Sequence, residues 1–320
     1  MLKILIIGYG SIAKKHLIAI ERSGYIAKVL LLRRSLTQEP LPSFCDQTDS
    51  LRAALDWNPT HSIICTPTSA HLEYVDELCS LGVKILIEKP LTTLDSAELP
   101  YLEEMALRND FIFLAYPYRF HAMAALIRAS QEKGKPMLWM IDRGYNLEKW
   151  QGKPYKYEQS YAARADLGGG ALLTLCHELD MFISIFGMPS DVSGHQINSN
   201  ILGITAPDLA VYTLRWGKFI SASFRIDMLR NVNHLDIVGI SKGHSLHISW
   251  DSQPLSSSEH LLPAGSGEMI EHRFSFHDFH QLYYLQMMEF LCPTSNRLCT
   301  LSQGIDSIRV MMRIKGDCIA

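Results

Sequence analysis

Hydrophobic positions along this chain keep two different rhythms. The first appears at once: Ile4-Leu5-Ile6-Ile7 is a short, unbroken apolar run rich in β-branched residues, the pattern of a strand buried on both faces. The period then changes, because Ala13, Leu17 and Ile20 make one stripe of a helix that Gly24 can end. The same alternation repeats, with strands predicted at Ile26–Leu32, Ser62–Thr66, Val83–Ile87 and Phe111–Ala115. Helices are predicted between them at Asp49–Asp56, at His71–Leu81 before Gly82, and after Asp95, where Pro100 breaks or restarts the turn. Strands and helices in alternation with short connections predict a parallel sheet covered on both faces.

After Arg119 the rhythm becomes that of an antiparallel sheet. A helix over Ala122–Lys133 leads into it, and Phe219–Met228 is its clearest strand. There Ile220, Ala222, Phe224 and Ile226 point one way and Ser221, Ser223, Arg225 and Asp227 the other. Leu235–Gly239 and Ser245–Trp250 read as a hairpin through Ser241-Lys242-Gly243. Trp139, Tyr212 and Trp216 lie on strands apolar on both faces, the pattern of a core or a subunit contact. Asp251–Glu268 is polar and reads as a loop, and helices at Phe279–Leu291 and Ile305–Lys315 close the chain. The expected fold class is α/β: a domain built on a parallel sheet over residues 1–120, then an α+β domain over 121–320. The second carries an open, mostly antiparallel sheet, and the last helix is expected to pack back on the first domain.

Composition narrows the class. A chain of 320 residues is long for one core, in keeping with two domains. Net charge is −3 without long runs of either sign, so neither a nucleic-acid nor a membrane surface is expected. No apolar segment approaches the roughly 18–20 residues of a membrane span. Only four apolar residues separate Lys3 from the glycine turn, so no signal peptide is expected and the cytoplasm is the expected compartment. The seven cysteines (45, 65, 79, 176, 292, 299 and 318) are odd in number and lack a C-x-x-C pair, which predicts reduced thiols and no zinc site. His277-Asp278-Phe279-His280 has the look of a metal pair but lacks further ligands nearby, so no metal is expected.

Between the first strand and helix lies Gly8-Tyr9-Gly10-Ser11-Ile12-Ala13, a G-x-G-x-x-A turn. Such a turn brings backbone N–H groups at a helix N-terminus close to a pyrophosphate. Gly8 permits the turn, Gly10 leaves room for phosphates, and Ala13 lets helix and strand pack closely. An NAD site usually ends its second strand with an acid for the ribose 2′-hydroxyl. Here the strand ends Leu32-Arg33-Arg34-Ser35, two guanidinium groups and a hydroxyl that suit a 2′-phosphate. NADP(H) is therefore expected over NAD(H), the alternative being an exposed basic turn that contacts nothing.

Further stretches follow in order: Thr66-Pro67-Thr68-Ser69-Ala70-His71 after a strand, Glu88-Lys89-Pro90 after the next, then Gly168-Gly169-Gly170-Ala171-Leu172-Leu173 ahead of His177 and Asp180. With Gly8–His16 and Gly239–Gly243 they resemble the Gfo/Idh/MocA family, named for glucose–fructose oxidoreductase and inositol dehydrogenase, nearly end to end. The resemblance implies a Rossmann domain, a C-terminal domain with an open sheet, and NAD(P)-dependent oxidoreduction of a sugar, amino sugar or sugar nucleotide. It also implies a homodimer or homotetramer paired through that sheet, and a Lys89–Pro90 bond that is often cis. The wording of Gly168–Asp180 resembles members from bacterial surface-polysaccharide pathways. A cofactor-sensing regulator without turnover, and a glycosidase or dehydratase that recycles its cofactor, are the alternatives.

Hydride transfer at a hydroxylated carbon needs a group to take the proton and a charge for the developing alkoxide. Lys89 follows a buried strand, at the carboxyl edge where open α/β sheets bind ligands, and is the candidate for the charge. Thr66, Pro67, His71, Glu88 and Lys89 join Gly8 through Ile12 and the Arg33-Arg34-Ser35 turn as candidate cofactor contacts. His177 is the candidate for the proton. On one continuous helix, Leu172, Leu175, Leu179, Phe182 and Phe186 make the core stripe, with His177, Asp180 and Ser184 on roughly the opposite face. Relatives place an aspartate four or three residues before this histidine, where Leu173 and Thr174 stand here. Thr174 and Asp180 are candidate substrate contacts, as are Tyr116, Arg119, Tyr161 and Arg164, for which a structural role weighs equally.

Overall fold

In a computed structural model of the chain, described over residues 1–36, 38–132, 137–149, 156–242, 244–251, 260–262, 268–275 and 279–316, the backbone divides into two units. The first comprises Met1–Phe120 with His280–Ile305, and the second His121–Phe279 with Asp306–Ala320. The first unit thus takes in a C-terminal stretch beyond residue 120.

The first unit runs β1 (Leu2–Ile7), α1 (Ser11–Arg22), β2 (Ala27–Leu32), β3 (Cys45–Thr48), α2 (Leu51–Asp56), β4 (His61–Ile64), α3 (Val75–Ser80), β5 (Lys84–Glu88), α4 (Leu99–Arg108) and β6 (Ile112–Ala115). β1 to β6 are parallel, in the spatial order β6-β5-β4-β1-β2-β3. Ile4 to Ile7 on the central strand are essentially without solvent exposure, as the apolar run predicts. β3 was not expected, because Cys45-Asp46-Gln47-Thr48 has no apolar run; it forms as a parallel edge strand on β2. The predicted His71–Leu81 helix is shorter, α3 being preceded by two 3₁₀ turns at Thr68–Ala70 and Leu72–Tyr74. Pro100 restarts the chain: a 3₁₀ turn over Ser96–Glu98, capped by Asp95 on Ala97 N–H, hands over to α4 with proline in its first turn.

The second unit continues with α5 (Ala122–Glu132), β7 (Met137–Asn146), α6 (Ala171–Thr174), α7 (His177–Phe186), β8 (Asp191–Ile197), β9 (Leu209–Trp216), β10 (Ile220–Asp227), β11 (Leu229–Ser241), β12 (His244–Asp251), β13 (His260–Leu262) and β14 (Glu268–Ser275). Its eight-stranded sheet has the order β13-β14-β12-β11-β7-β10-β9-β8. Only β7–β10 and β12–β14 pair in parallel; the rest are antiparallel, including the β11–β12 hairpin. The polar stretch Asp251–Glu268 lies largely outside the described residues, but its ends and centre contribute strand residues. α8 (Phe279–Leu291) and β15 (Cys299–Thr300) return to the first unit, where β15 pairs antiparallel with β6, and α9 (Leu301–Gly316) closes the chain.

One face of the second sheet is a core: Trp139, Tyr212 and Phe224 are buried there. Tyr212 stacks on Phe224 at 4.6 Å, and Phe182 of α7 meets Trp139 and Phe224 edge-on at 5.6 and 5.3 Å. The other face leaves Leu138, Met140, Val211 and Ile240 exposed. Among the described residues no single helix is long and apolar enough to cross a membrane. The described cysteines are all free thiols. Of the His277–His280 stretch, residues 277 and 278 lie outside the described residues.

Candidate active site

The carboxyl ends of the parallel strands gather the candidates of the first unit. Gly8, just past β1, has φ +89°, and a Cβ there would lie 2.9 Å from the Cys65 carbonyl oxygen. Only glycine suits that turn. Gly10 differs: its backbone is extended, φ −86° and ψ −171°, and a Cβ would meet nothing within 4 Å. It caps α1 without a side-chain bond, so the first N–H groups of a twelve-residue helix open onto clear space. Tyr9 and Ile12 are half-buried, and Gly10 and Ser11 exposed. Past β2, the Arg33 guanidinium lies 4.9 Å over the Tyr9 ring and donates to Gln47 Oε1 at 3.4 Å, while Arg34 and Ser35 are exposed. Lys14 approaches the same ring at 5.4 Å. A glycine cradle, a bare helix N-terminus and a basic turn at one sheet edge fit a dinucleotide.

Past β4 and β5 the arrangement is more enclosed. Thr66 is half-buried with an Oγ1 that has no hydrogen-bond partner, and Pro67 is exposed. Lys89 is half-buried and precedes Pro90 through a cis bond. Its backbone N–H donates to its neighbour's Glu88 Oε2 at 3.3 Å, and Glu88 Oε1 lies 2.7 Å from His16 Nε2. His71 sits 2.9 Å from the Pro90 carbonyl through Nδ1 and 3.0 Å from the Thr66 carbonyl through Nε2. Burial pulls the His71 pKa below the usual histidine range, against the opposing pull of Glu88 and the carbonyls. Lys15 is also depressed, by burial first, with Lys89 adding to the effect and Glu88 opposing it. Glu88 and His71 thus direct their polar atoms at the protein, behind the sheet edge. Tyr116 is buried after β6, and Arg119 donates to Gln303 Oε1 at 2.6 Å.

In the second unit the glycine triplet makes the entry to α6. Gly170 has φ +105°, and a Cβ there would press on the Pro207 carbonyl at 3.0 Å. The continuous helix expected through His177 is not formed. Leu175 and Cys176 leave helical geometry (φ −108°, ψ 40°; φ −86°, ψ 3°), and the stretch Ala165–Thr174 meets α7 at a 58° bend. His177 is therefore the first residue of α7, half-buried, while Thr174 ends α6 and is buried. The expected outward face is likewise corrected: Asp180 is fully buried and accepts from Ser307 Oγ at 3.3 Å. Tyr161 is half-buried, and Arg164 is exposed, forked onto the Asp166 carboxylate two residues on.

Two groups of residues escaped the sequence reading. Glu178, next to His177, pairs with Arg143 of β7 at 3.1 Å, both nearly without exposure, and Arg143 also donates to the Gly144 and His234 carbonyls at 3.0 and 2.8 Å. Half-buried Tyr145 lies over the same guanidinium, its hydroxyl pKa raised by burial. His16 was the other omission. It sits on the buried stripe of α1 with Ala13, Leu17 and Ile20, and a histidine on an apolar stripe was the available signal.

The model of the family described as "Oxidoreductase family, NAD-binding Rossmann fold" (GFO_IDH_MocA) matches residues 2–116. No curated protein sequence matches the chain. Among solved structures, the WlbA dehydrogenase from Bordetella pertussis, in complex with NADH and UDP-GlcNAcA, is 18% identical, with 98% of this chain and 95% of that chain covered and a TM-score of 0.73. The myo-inositol 2-dehydrogenase from Lactobacillus plantarum is 14% identical at the same TM-score of 0.73, covering 98% and 97%. Levoglucosan dehydrogenase, in complex with NADH and L-sorbose, is 15% identical, again at 0.73, covering 98% and 97%. At these identities the likeness is one of fold. Residues 2–116 match the model of the NAD-binding Rossmann oxidoreductase family, and the chain as a whole shares its fold with the dehydrogenases named above.

Proposed function

We propose that this chain is an NAD(P)-dependent dehydrogenase acting at a hydroxyl or keto carbon of a sugar-type molecule, a sugar nucleotide first among them. The observation that carries the reading is one sheet edge in the first unit. The Gly8–Gly10 turn with its bare helix start and the half-buried Lys89 stand at the carboxyl ends of β1 and β5. A bound nicotinamide supplies the hydride acceptor or donor. Gly10 leaves the phosphates room, α1 presents its N–H groups, and the Lys89 ammonium stabilises negative charge on the substrate oxygen. His177, at the start of α7, takes or returns the hydroxyl proton. Tyr116, Arg119, Tyr161, Arg164, Thr174 and Asp180 are the proposed substrate contacts; burial ranks Tyr161 ahead of Asp180, whose carboxylate is already bonded within its unit.

The cofactor reading is NADP(H) over NAD(H), supported by Arg33 held over Tyr9 with Arg34 and Ser35 beside it. A homo-oligomer paired through the open sheet is supported by the exposed Leu138, Met140, Val211 and Ile240. Free, mostly buried thiols suit the reducing cytoplasm.

The test is absorbance at 340 nm with NADP⁺ and NAD⁺ against UDP-GlcNAcA, myo-inositol and levoglucosan, and with NADPH and NADH against L-sorbose. Turnover of one of these is expected, and Lys89→Ala should lower kcat by roughly two orders of magnitude while cofactor binding survives. Folded Lys89→Ala protein with unchanged kcat would remove Lys89 from the chemistry. Product formation without net absorbance change would instead favour a glycosidase or dehydratase that recycles its cofactor. Tight cofactor binding with no turnover would favour a regulator.

A further inference from the structure

We propose that His71 is a positioning residue for Lys89, acting by tying the Thr66 carbonyl to the Pro90 carbonyl and so fixing the two turns between which Lys89 stands. The inference rests on the reading of Lys89 as the catalytic charge. Four observations carry it. His71 is 1% exposed, so its ring faces protein on all sides. Its nitrogens lie 2.9 and 3.0 Å from carbonyl oxygens that follow two different strands, β4 and β5. The Pro90 carbonyl is one peptide beyond Lys89, so a displacement of that carbonyl displaces the Lys89 backbone. On the other side Lys89 is held by its N–H on Glu88, which is itself held by fully buried His16 of α1.

The chemistry of the ring explains why histidine stands there. A neutral ring donates to one carbonyl and sets a bare nitrogen lone pair against the other, whereas a ring with two N–H groups donates to both. The charged group that acts on it is Glu88 at the end of β5, whose carboxylate also faces Lys15 and His16 of α1 and the Lys89 N–H, and the buried Cys65 thiol lies at the end of β4. Burial, which favours the neutral ring, and Glu88, which favours the charged one, act against each other on His71. With both nitrogens protonated the ring joins the two turns by hydrogen bonds where water does not reach; with one it bonds a single turn and fills the space beside the second.

The experiment compares the wild type with His71→Gln, His71→Leu and Lys89→Ala, each assayed for kcat, KM and NADH affinity by fluorescence at matched folded fraction. Leucine fills the space and bonds neither carbonyl; glutamine keeps an amide N–H for one. A misplacement of about 1 Å at a reacting group costs roughly a hundredfold in rate. His71→Leu is therefore expected to lose roughly 10- to 100-fold in kcat with KM and NADH affinity little changed, and His71→Gln to recover much of it. In ¹⁵N-histidine-labelled wild-type protein without cofactor, an imidazole N–H of His71 should resist solvent exchange. The proposal is overturned if His71→Leu keeps wild-type kcat while Lys89→Ala loses it, if only KM moves, if glutamine rescues nothing, or if the His71 N–H exchanges freely. Lys89→Ala with unchanged kcat sinks the catalytic reading of Lys89 itself, a separate outcome. Should His71→Leu not fold, His71→Gln and the exchange measurement decide.

Discussion

Alanine at Gly8 and alanine at Gly10 are the same chemical change two residues apart, and the structure predicts opposite consequences. At Gly8 the new methyl needs a backbone at φ +89° and lies 2.9 and 3.0 Å from the carbonyl oxygen and carbon of Cys65. The first requirement costs about 1–3 kcal/mol. The second adds about 1–3 kcal/mol of overpacking, because the obstacle is backbone tied into the sheet by Cys65 N–H on the Ile7 carbonyl at 2.8 Å. Gly8→Ala should therefore lose roughly 2–6 kcal/mol, lowering the thermal midpoint by about 5–15 °C. At Gly10 the backbone is one any residue adopts and the methyl points into open space, so stability should change by less than about 1 kcal/mol. That open space is where the pyrophosphate is proposed to lie. NADH affinity should fall tenfold or more in Gly10→Ala, a loss of about 1.4 kcal/mol or greater. Circular dichroism melts and NADH fluorescence titrations on both variants make the test. Wild-type NADH affinity in Gly10→Ala would refute the placement of the phosphates, and a wild-type melt in Gly8→Ala would refute the steric argument.

Removing both guanidinium groups of Arg33 and Arg34 by alanine should erase a preference for NADPH of roughly ten- to a hundredfold, since a charge-assisted bond is worth about 1.5–3 kcal/mol; equal loss for NADH and NADPH in parallel titrations would contradict it. Glu178→Gln should cost about 3–5 kcal/mol in urea unfolding by stranding the buried Arg143 charge, and Glu178→Leu with Arg143→Met should recover most of it. Acid should weaken the second unit through His121, whose pKa burial lowers to about 4 and whose Nδ1 accepts the Met123 N–H at 3.0 Å. Because this folded-state pKa lies below the unfolded value of about 6.5, the contribution is complete above pH 6.5 and shrinks as pH falls toward 4. The arithmetic gives a loss of about 2 kcal/mol between pH 7 and pH 5. Urea midpoints at the two pH values should therefore differ more in the wild type than in His121→Gln, and an equal difference would exclude His121 as the cause.

The parallel sheet was legible because its strands are buried on both faces. Ile4–Ile7 and the residues up to Ile87 read as apolar runs, with breaks at glycine and proline. β3 was not, since an edge strand needs only partners for its backbone, and Cys45–Thr48 finds them on β2 with little apolar burial. The glycine turn was legible from its spacing after a strand, and Lys89 was singled out by its place after a strand together with the family resemblance. Glu178 and Arg143 were not legible, because a buried ion pair is recognisable only by its partner; His16 showed as a histidine on an apolar stripe, but its partner Glu88 lies 72 residues away.

The break between α6 and α7 changes what the missing aspartate means. On a continuous helix, residues three and four before His177 would lie one turn away from it, so Thr174 or Leu173 would stand where relatives place a carboxylate. With Leu175 and Cys176 out of helical geometry, that spacing no longer dictates proximity to the imidazole. What the first turn of α7 does supply is Glu178 and Asp180, both acidic near a helix N-terminus and both buried. Each is committed inside the second unit, Glu178 to Arg143 and Asp180 to Ser307. The two bonds anchor α7 on opposite sides of its first turn, one to the sheet and one to α9. A histidine at the first position of a helix so anchored has its backbone fixed whatever residue 174 is. The backbone of residue 177 is then positioned without a carboxylate at 173 or 174, and under the proposed role of His177 that absence would bear on the proton chemistry.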